Sequence, residues 1–149
     1  EQLLSSEDTN NSIIEIDNYI CELCEYGENI EKLTKSQTII FFNQNLEREI
    51  NNGGLNQYFC NSSGDFAHET IESLKIIGAN KTANILQKAI DQFPEKLVPK
   101  DRDERVDLVE EIEENANVVW EELDEFFFKY EDDLTTLNLN FIKQNITDF

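Results

Sequence analysis

The sequence predicts an all-α fold, a compact single-domain bundle of six or seven helices. Three observations predict it. Apolar residues recur at steps of three and four rather than alternating. Cap and stop residues punctuate those runs. Two prolines and five glycines in 149 residues leave room for long unbroken helices. Ten Phe, four Tyr and one Trp supply large side chains for one core.

Ile13, Ile16, Ile20, Leu23 and Cys24 mark the first helix, with Gly27 placed as a left-handed stop. Thr34 and Gln37 stand at capping-box spacing ahead of a second helix striped by Ile39, Phe42, Leu46 and Ile50. That helix is expected to stop at Asn52-Gly53-Gly54, where a glycine turns the chain with positive φ. Leu55, Tyr58 and Phe59 then anchor a short helical turn, and Asn56, Gln57 and Asn61 are expected to satisfy open backbone groups. Ser62 or Ser63 is expected to cap the third helix, with Asp65 near its positive end.

The third stripe runs through Ala67, Thr70, Ile71, Leu74 and Ile77 to Gly78. Asn80 is expected to cap the fourth, which carries Ala83, Leu86, Ile90 and Phe93 and ends near Pro94, so the two form a helical hairpin. The stretch EKLVPKDRD reads as the one linker, and Asp101 with Glu104 repeats the capping spacing. From Val106 through Val109, Ile112, Ala116, Val119, Trp120, Leu123 and Phe127 to Tyr130, helical phase holds over about seven turns, with Asn115 and Asn117 as points where the run could break or bend. Leu134, Leu137, Phe141, Ile142 and Ile146 give the last helix.

Charge is the extreme feature. Thirty-two acidic against twelve basic residues give a net charge of −20, which disfavours contact with phosphate backbones and anionic membranes and favours a cationic partner. Residues 1–31 hold nine acids and no Lys or Arg, and residues 101–133 hold fifteen acids against three bases. The rest of the chain is nearly neutral. No apolar run reaches the ~20 residues needed to span a bilayer, and no basic-then-apolar signal pattern opens the sequence. An odd count of three cysteines fits reduced thiols, so the expectation is a cytoplasmic, non-membrane protein.

Catalytic and metal chemistry find little support. The glycine-rich stretch follows a helix and contains no Lys or Arg, unlike a phosphate loop. Ser62, Ser63 or Cys60 would need His68, the only histidine, as a base, and nothing specifies an oxyanion hole. Cys21 and Cys24 with Cys60 and His68 would supply four zinc ligands, but Cys24 falls on an apolar stripe, and no second pair sits at tight spacing. The expectation is no catalytic residue, no metal and no cofactor.

The acidic helix carries the functional expectation. Glu110, Glu111, Glu113, Glu114, Glu121, Glu122, Asp124 and Glu125 lie mostly off the apolar stripe, and Asp132 and Asp133 follow. Over the helix the net charge falls about every 4 Å, close to the ~3.4 Å spacing along one DNA strand. A protein shaped to bind DNA would meet a similar charge density here.

The blocks NGGLNQYFCNSSGD, SLKIIGANKTANILQKAIDQFP and LDEFFFKYEDDLTTLNLNFIKQNITDF resemble the signature blocks of the DNA-mimic-protein-19-like domain family. The resemblance covers approximately residues 33–149 and leaves the acidic N-terminal helix, 1–32, largely outside it. Its structural signature falls on Asn52, Gly53, Gly54, Gln57, Tyr58, Phe59 and Gly78, with a further Leu-Asp at Leu123-Asp124. It implies a compact, acidic, mainly helical domain able to form a homodimer, a non-enzymatic mimic of double-stranded DNA that engages a DNA-binding transcription regulator. The partner expected is thus a basic DNA-binding protein, with no direct contact to nucleic acid. The alternative is a general protein-interaction or immunity-like regulatory domain that uses an apolar or mixed surface.

Overall fold

The computed structural model describes residues 3–149. Six α-helices and six short 3-10 segments account for most of the described residues, and no strand occurs among them. They are α1 (Thr9–Leu23), α2 (Lys35–Cys60), α3 (Ala67–Ile76), α4 (Asn80–Ile90), α5 (Arg102–Phe127) and α6 (Leu134–Gln144). Two apolar cores hold them together. The larger gathers side chains from α2, α3, α4 and α5 around Leu46, Phe59, Leu86 and Trp120. The smaller joins α1, α2 and α6 around Ile20, Ile40, Phe41 and Ile142. Consequently α2 is shared by both, and the two acidic segments, on α1 and α5, are seated over different cores.

Local signals explain most starts. The Thr34 hydroxyl accepts from the Gln37 N–H at 3.1 Å while the Gln37 carbonyl oxygen accepts from the Thr34 N–H at 3.0 Å, a complete capping box. Asp8 and Asp101 cap α1 and α5 through the N–H groups of Asn11 and Glu104. Beyond α1, Glu25, Tyr26 and Gly27 all take positive φ, so the stop is a tight three-residue turn rather than a single glycine.

Four local expectations are corrected. The second helix does not end at the Gly-Gly pair; it breaks at Gly54 (φ 79°, ψ −175°) and resumes at once through Cys60. No side chain caps α3: the Ser63 hydroxyl donates to Glu49 Oε1 instead, and Asp65 is drawn to Arg105. Asn56, Gln57 and Asn61 serve side chains rather than backbone, reaching Asn117, Glu49 and Glu49 respectively. The cap of α4 is also not Asn80, which is the first helical residue; Asp132, from beyond α5, accepts from the Thr82 N–H at 2.7 Å and its hydroxyl at 3.0 Å.

The long helix α5 runs without a break past Asn115 and Asn117 and ends at Phe127. Tyr130 lies in the following turn, where its hydroxyl accepts from the Asn51 amide at 2.7 Å and donates to Glu47 at 3.1 Å. This ties the end of α5 back to α2.

Candidate functional site: an acidic helix face

Trp120 sets the rotation of α5. Its indole N–H donates to the Ala89 carbonyl at 3.1 Å, and its ring packs against Phe59 and Phe93, with centroids 5.1 and 5.9 Å away. Val109, Ala116, Leu123 and Phe127 share that buried side. Helical geometry then turns the remaining positions outward. Glu110, Glu111, Glu113, Glu114, Glu121, Glu122 and Glu125 are all exposed. None forms an ion pair with a described residue. Pairs such as Glu110 with Glu114 and Glu121 with Glu125 stand one turn apart, so like charges cost the free helix a few tenths of a kcal/mol each.

Three of the ten carboxylates expected on this surface are engaged within the chain. Asp133 caps α6, accepting from the Thr136 N–H at 3.0 Å and its hydroxyl at 2.7 Å, and those bonds hold its carboxyl below the usual range. Asp132 caps α4 as described above. Asp124 turns inward, where Oδ1 accepts from the Leu55 N–H at 2.9 Å. Desolvation pushes the Asp124 carboxyl up to about 6, the Leu55 bond opposes the rise, and the charges of Glu121 and Glu125 add to it.

The glycine signature and Asp124 form one unit. Gly54 has φ of +79°, and a Cβ there would sit 2.3 Å from Asp124 Oδ2, so neither the backbone angle nor the space admits a side chain. Asp124 thereby caps the segment that restarts at Leu55. Asn52 donates to Gln57 at 3.3 Å and Gln57 to Glu49 at 2.7 Å, bracing the break from outside. Tyr58 donates to the Thr70 hydroxyl at 3.2 Å, Phe59 packs on Phe93, and Gly78 turns the chain from α3 into α4 with φ of +86°.

Arg105, absent from the candidates the sequence offers, anchors this region. Its side chain is 0% exposed. Nε donates to the Phe59 carbonyl at 2.6 Å, Nη1 to the Pro99 and Lys100 carbonyls, and Nη2 to the Asn61 carbonyl and, at 2.6 Å, to Asp65 Oδ1. Gly64 makes room, since a Cβ there would lie 2.8 Å from Arg105 Nε. The available signal was phase: Arg105 stands four residues before Val109, on the buried stripe of α5.

Ser63 and His68 bond to different partners. His68 Nε2 accepts from the Val98 N–H at 3.1 Å, while Ser63 serves Glu49. Cys21, Cys24 and Cys60 are free thiols, and desolvation pushes Cys21 up to about 11. Among the described residues, no three His, Cys, Asp or Glu side chains gather as a metal site. No helix among them is long and apolar enough to cross a membrane.

Fold and face together define an acidic all-α domain that displays unpaired carboxylates along one long helix. The chain belongs to the DMP19-like protein family, whose model matches residues 31–145. The match takes in α2 through α6 and leaves α1 outside. No curated protein and no solved structure matches the chain.

Proposed function

We propose that the chain is a non-catalytic DNA mimic whose acidic α5 face occupies the DNA site of a basic DNA-binding protein such as a transcription regulator. The observation that carries this reading is the row of seven exposed, unpaired glutamates on α5. Across Arg102–Phe127 there are eleven acidic residues and two arginines. At ~1.5 Å per residue this is one net negative charge per ~4 Å, against one per ~3.4 Å along a DNA strand. Carboxylates take the place of phosphates in ion pairs with Lys and Arg, so the partner's DNA site is blocked. Family membership supports a protein-binding role, and an odd count of three cysteines fits the reducing cytoplasmic setting proposed here.

The test is capture of a partner from native cells at low salt, followed by elution with duplex DNA. A basic DNA-binding protein should be released by DNA and by rising salt, since exposed charge pairs are screened. The quadruple charge reversal E110K/E111K/E113K/E114K should abolish capture. Binding indifferent to salt, with no DNA competition, would end the mimic reading.

A second reading, a general or immunity-like interaction domain, draws on a different surface. An apolar groove of about 360 Å³ lies between α1 and the C-terminal segment, bordered by Leu4, Ile16, Tyr19, Ile142, Ile146 and Phe149. That reading expects the charge reversal to change little.

A further inference from the structure

The break at Gly54 borders a shallow groove of about 620 Å³ between α2 and the C-terminal half of α5. Three of its features point to one kind of occupant. First, Glu121, Glu122 and Glu125 line it and have no cationic partner among the described residues. Second, Asn51, Asn52, Gly53 and Gly54 line it too, so the first segment of α2 ends there. A helix end leaves carbonyls without intrahelical partners, which a cationic donor can meet. Third, Val118 and Phe128 border the groove while 68% and 45% exposed. Val118 occupies the outward position at which the acidic row is interrupted between Glu114 and Glu121.

A surface imitating phosphates alone would gain nothing from these two apolar side chains. A second copy of a chain of net charge −20 would bring like charge to the rim. We propose that the groove docks one cationic segment of a partner protein, in which Lys or Arg side chains flank an aliphatic or aromatic residue. The basic groups meet the three glutamates and the carbonyl end of α2, and the apolar residue seats against Val118 and Phe128. The proposal rests on the acidic-face reading above and adds an apolar anchor to it.

The probe is a pair of labelled synthetic helical peptides, one with Leu residues spaced among Lys and Arg, the other with every Leu replaced by Ala. Their charge is identical. At about 0.15 M salt, the Leu peptide should bind about tenfold more tightly. Amide chemical-shift changes should centre on Gly53, Val118 and Glu122. The double substitution V118S/F128S, at two exposed positions, should erase the preference and leave circular dichroism unchanged; Val118→Ser alone should reduce it. A preference that persists in both variants, or shifts centred on the α1 groove, overturns the proposal. E110K/E111K/E113K/E114K separates the two ideas. Those four glutamates lie outside the groove, so the Leu preference should survive their reversal while capture of the DNA-binding partner is lost; capture that persists ends the charge-based reading, whereas the groove is judged on V118S/F128S.

Discussion

At the scale of single residues, Arg105 and Asp124 show how one charged side chain is made tolerable inside an acidic protein. Arg105 has its donors matched to four carbonyls and one carboxylate, so burial leaves no charge unanswered. Arg105→Met removes the answer for Asp65 and four carbonyls together and should cost ~3–5 kcal/mol in urea unfolding. Arg105→Lys should recover only part, because one ammonium cannot span the same acceptors. A loss below ~1 kcal/mol for the Met variant would show that solvent replaces the guanidinium. Asp124 behaves oppositely. Its carboxyl binds a proton more tightly folded, at about 6, than at its ordinary 3.8. The folded state therefore holds the extra proton between those values, and the stability Asp124 contributes is full below 3.8 and lost as pH rises through about 6. Asp124→Asn should flatten the stability curve across that window in unfolding measurements at stepped pH; a slope equal to the wild type's would assign the effect to other acids.

At the scale of elements, caps were legible from sequence only when donor and acceptor were neighbours. Thr34 with Gln37 and Asp101 with Glu104 were read correctly because a cap reaches two or three residues along the chain. Asp132 on α4 and Asp124 on the restarted α2 escaped the reading because their partners lie 50 and 69 residues away. The misplaced caps at Asn80, Ser62 and Ser63 have the same origin: a suitable residue sat at each start, but tertiary structure supplied another solution or none. Asp132→Ala should therefore destabilise by ~1 kcal/mol. Asn80→Ala should stay within ~0.5 kcal/mol. Thermal or chemical unfolding of the two variants decides, and a larger effect at Asn80 would restore the local cap. The break at Gly54 was legible as a turn, but its immediate continuation was not, because the partner that restarts the helix lies on α5.

At the scale of the whole molecule, charge and packing are separable. The apolar stripes predicted six or seven helices, of which six are found, with their order and the outward side of α5, since periodicity reports burial directly. Eight of the ten acids expected on the surface are exposed, Asp133 among them although it caps α6; Asp124 and Asp132 are half-buried caps, which charge counting cannot distinguish. A net charge of −20 makes the folded chain repel itself, so added salt should raise Tm. Screening worth ~1 kcal/mol corresponds to a rise of ~2–4 °C for a chain of this length. Calorimetry at increasing NaCl would show it, and a Tm that fell would place the net effect of charge on the stabilising side. The same salt should weaken binding to a cationic partner, so stability and affinity move in opposite directions. Arg105 has a further consequence for assembly. Its five bonds reach the end of α2, the turn after it and the linker before α5, three stretches that must all be in place before every donor is met. A half-assembled core would hold a desolvated cation with its acceptors missing, which raises the energy of partial folds above both end states. Arg105 should thus make folding of the larger core more cooperative, as a check that every segment has docked.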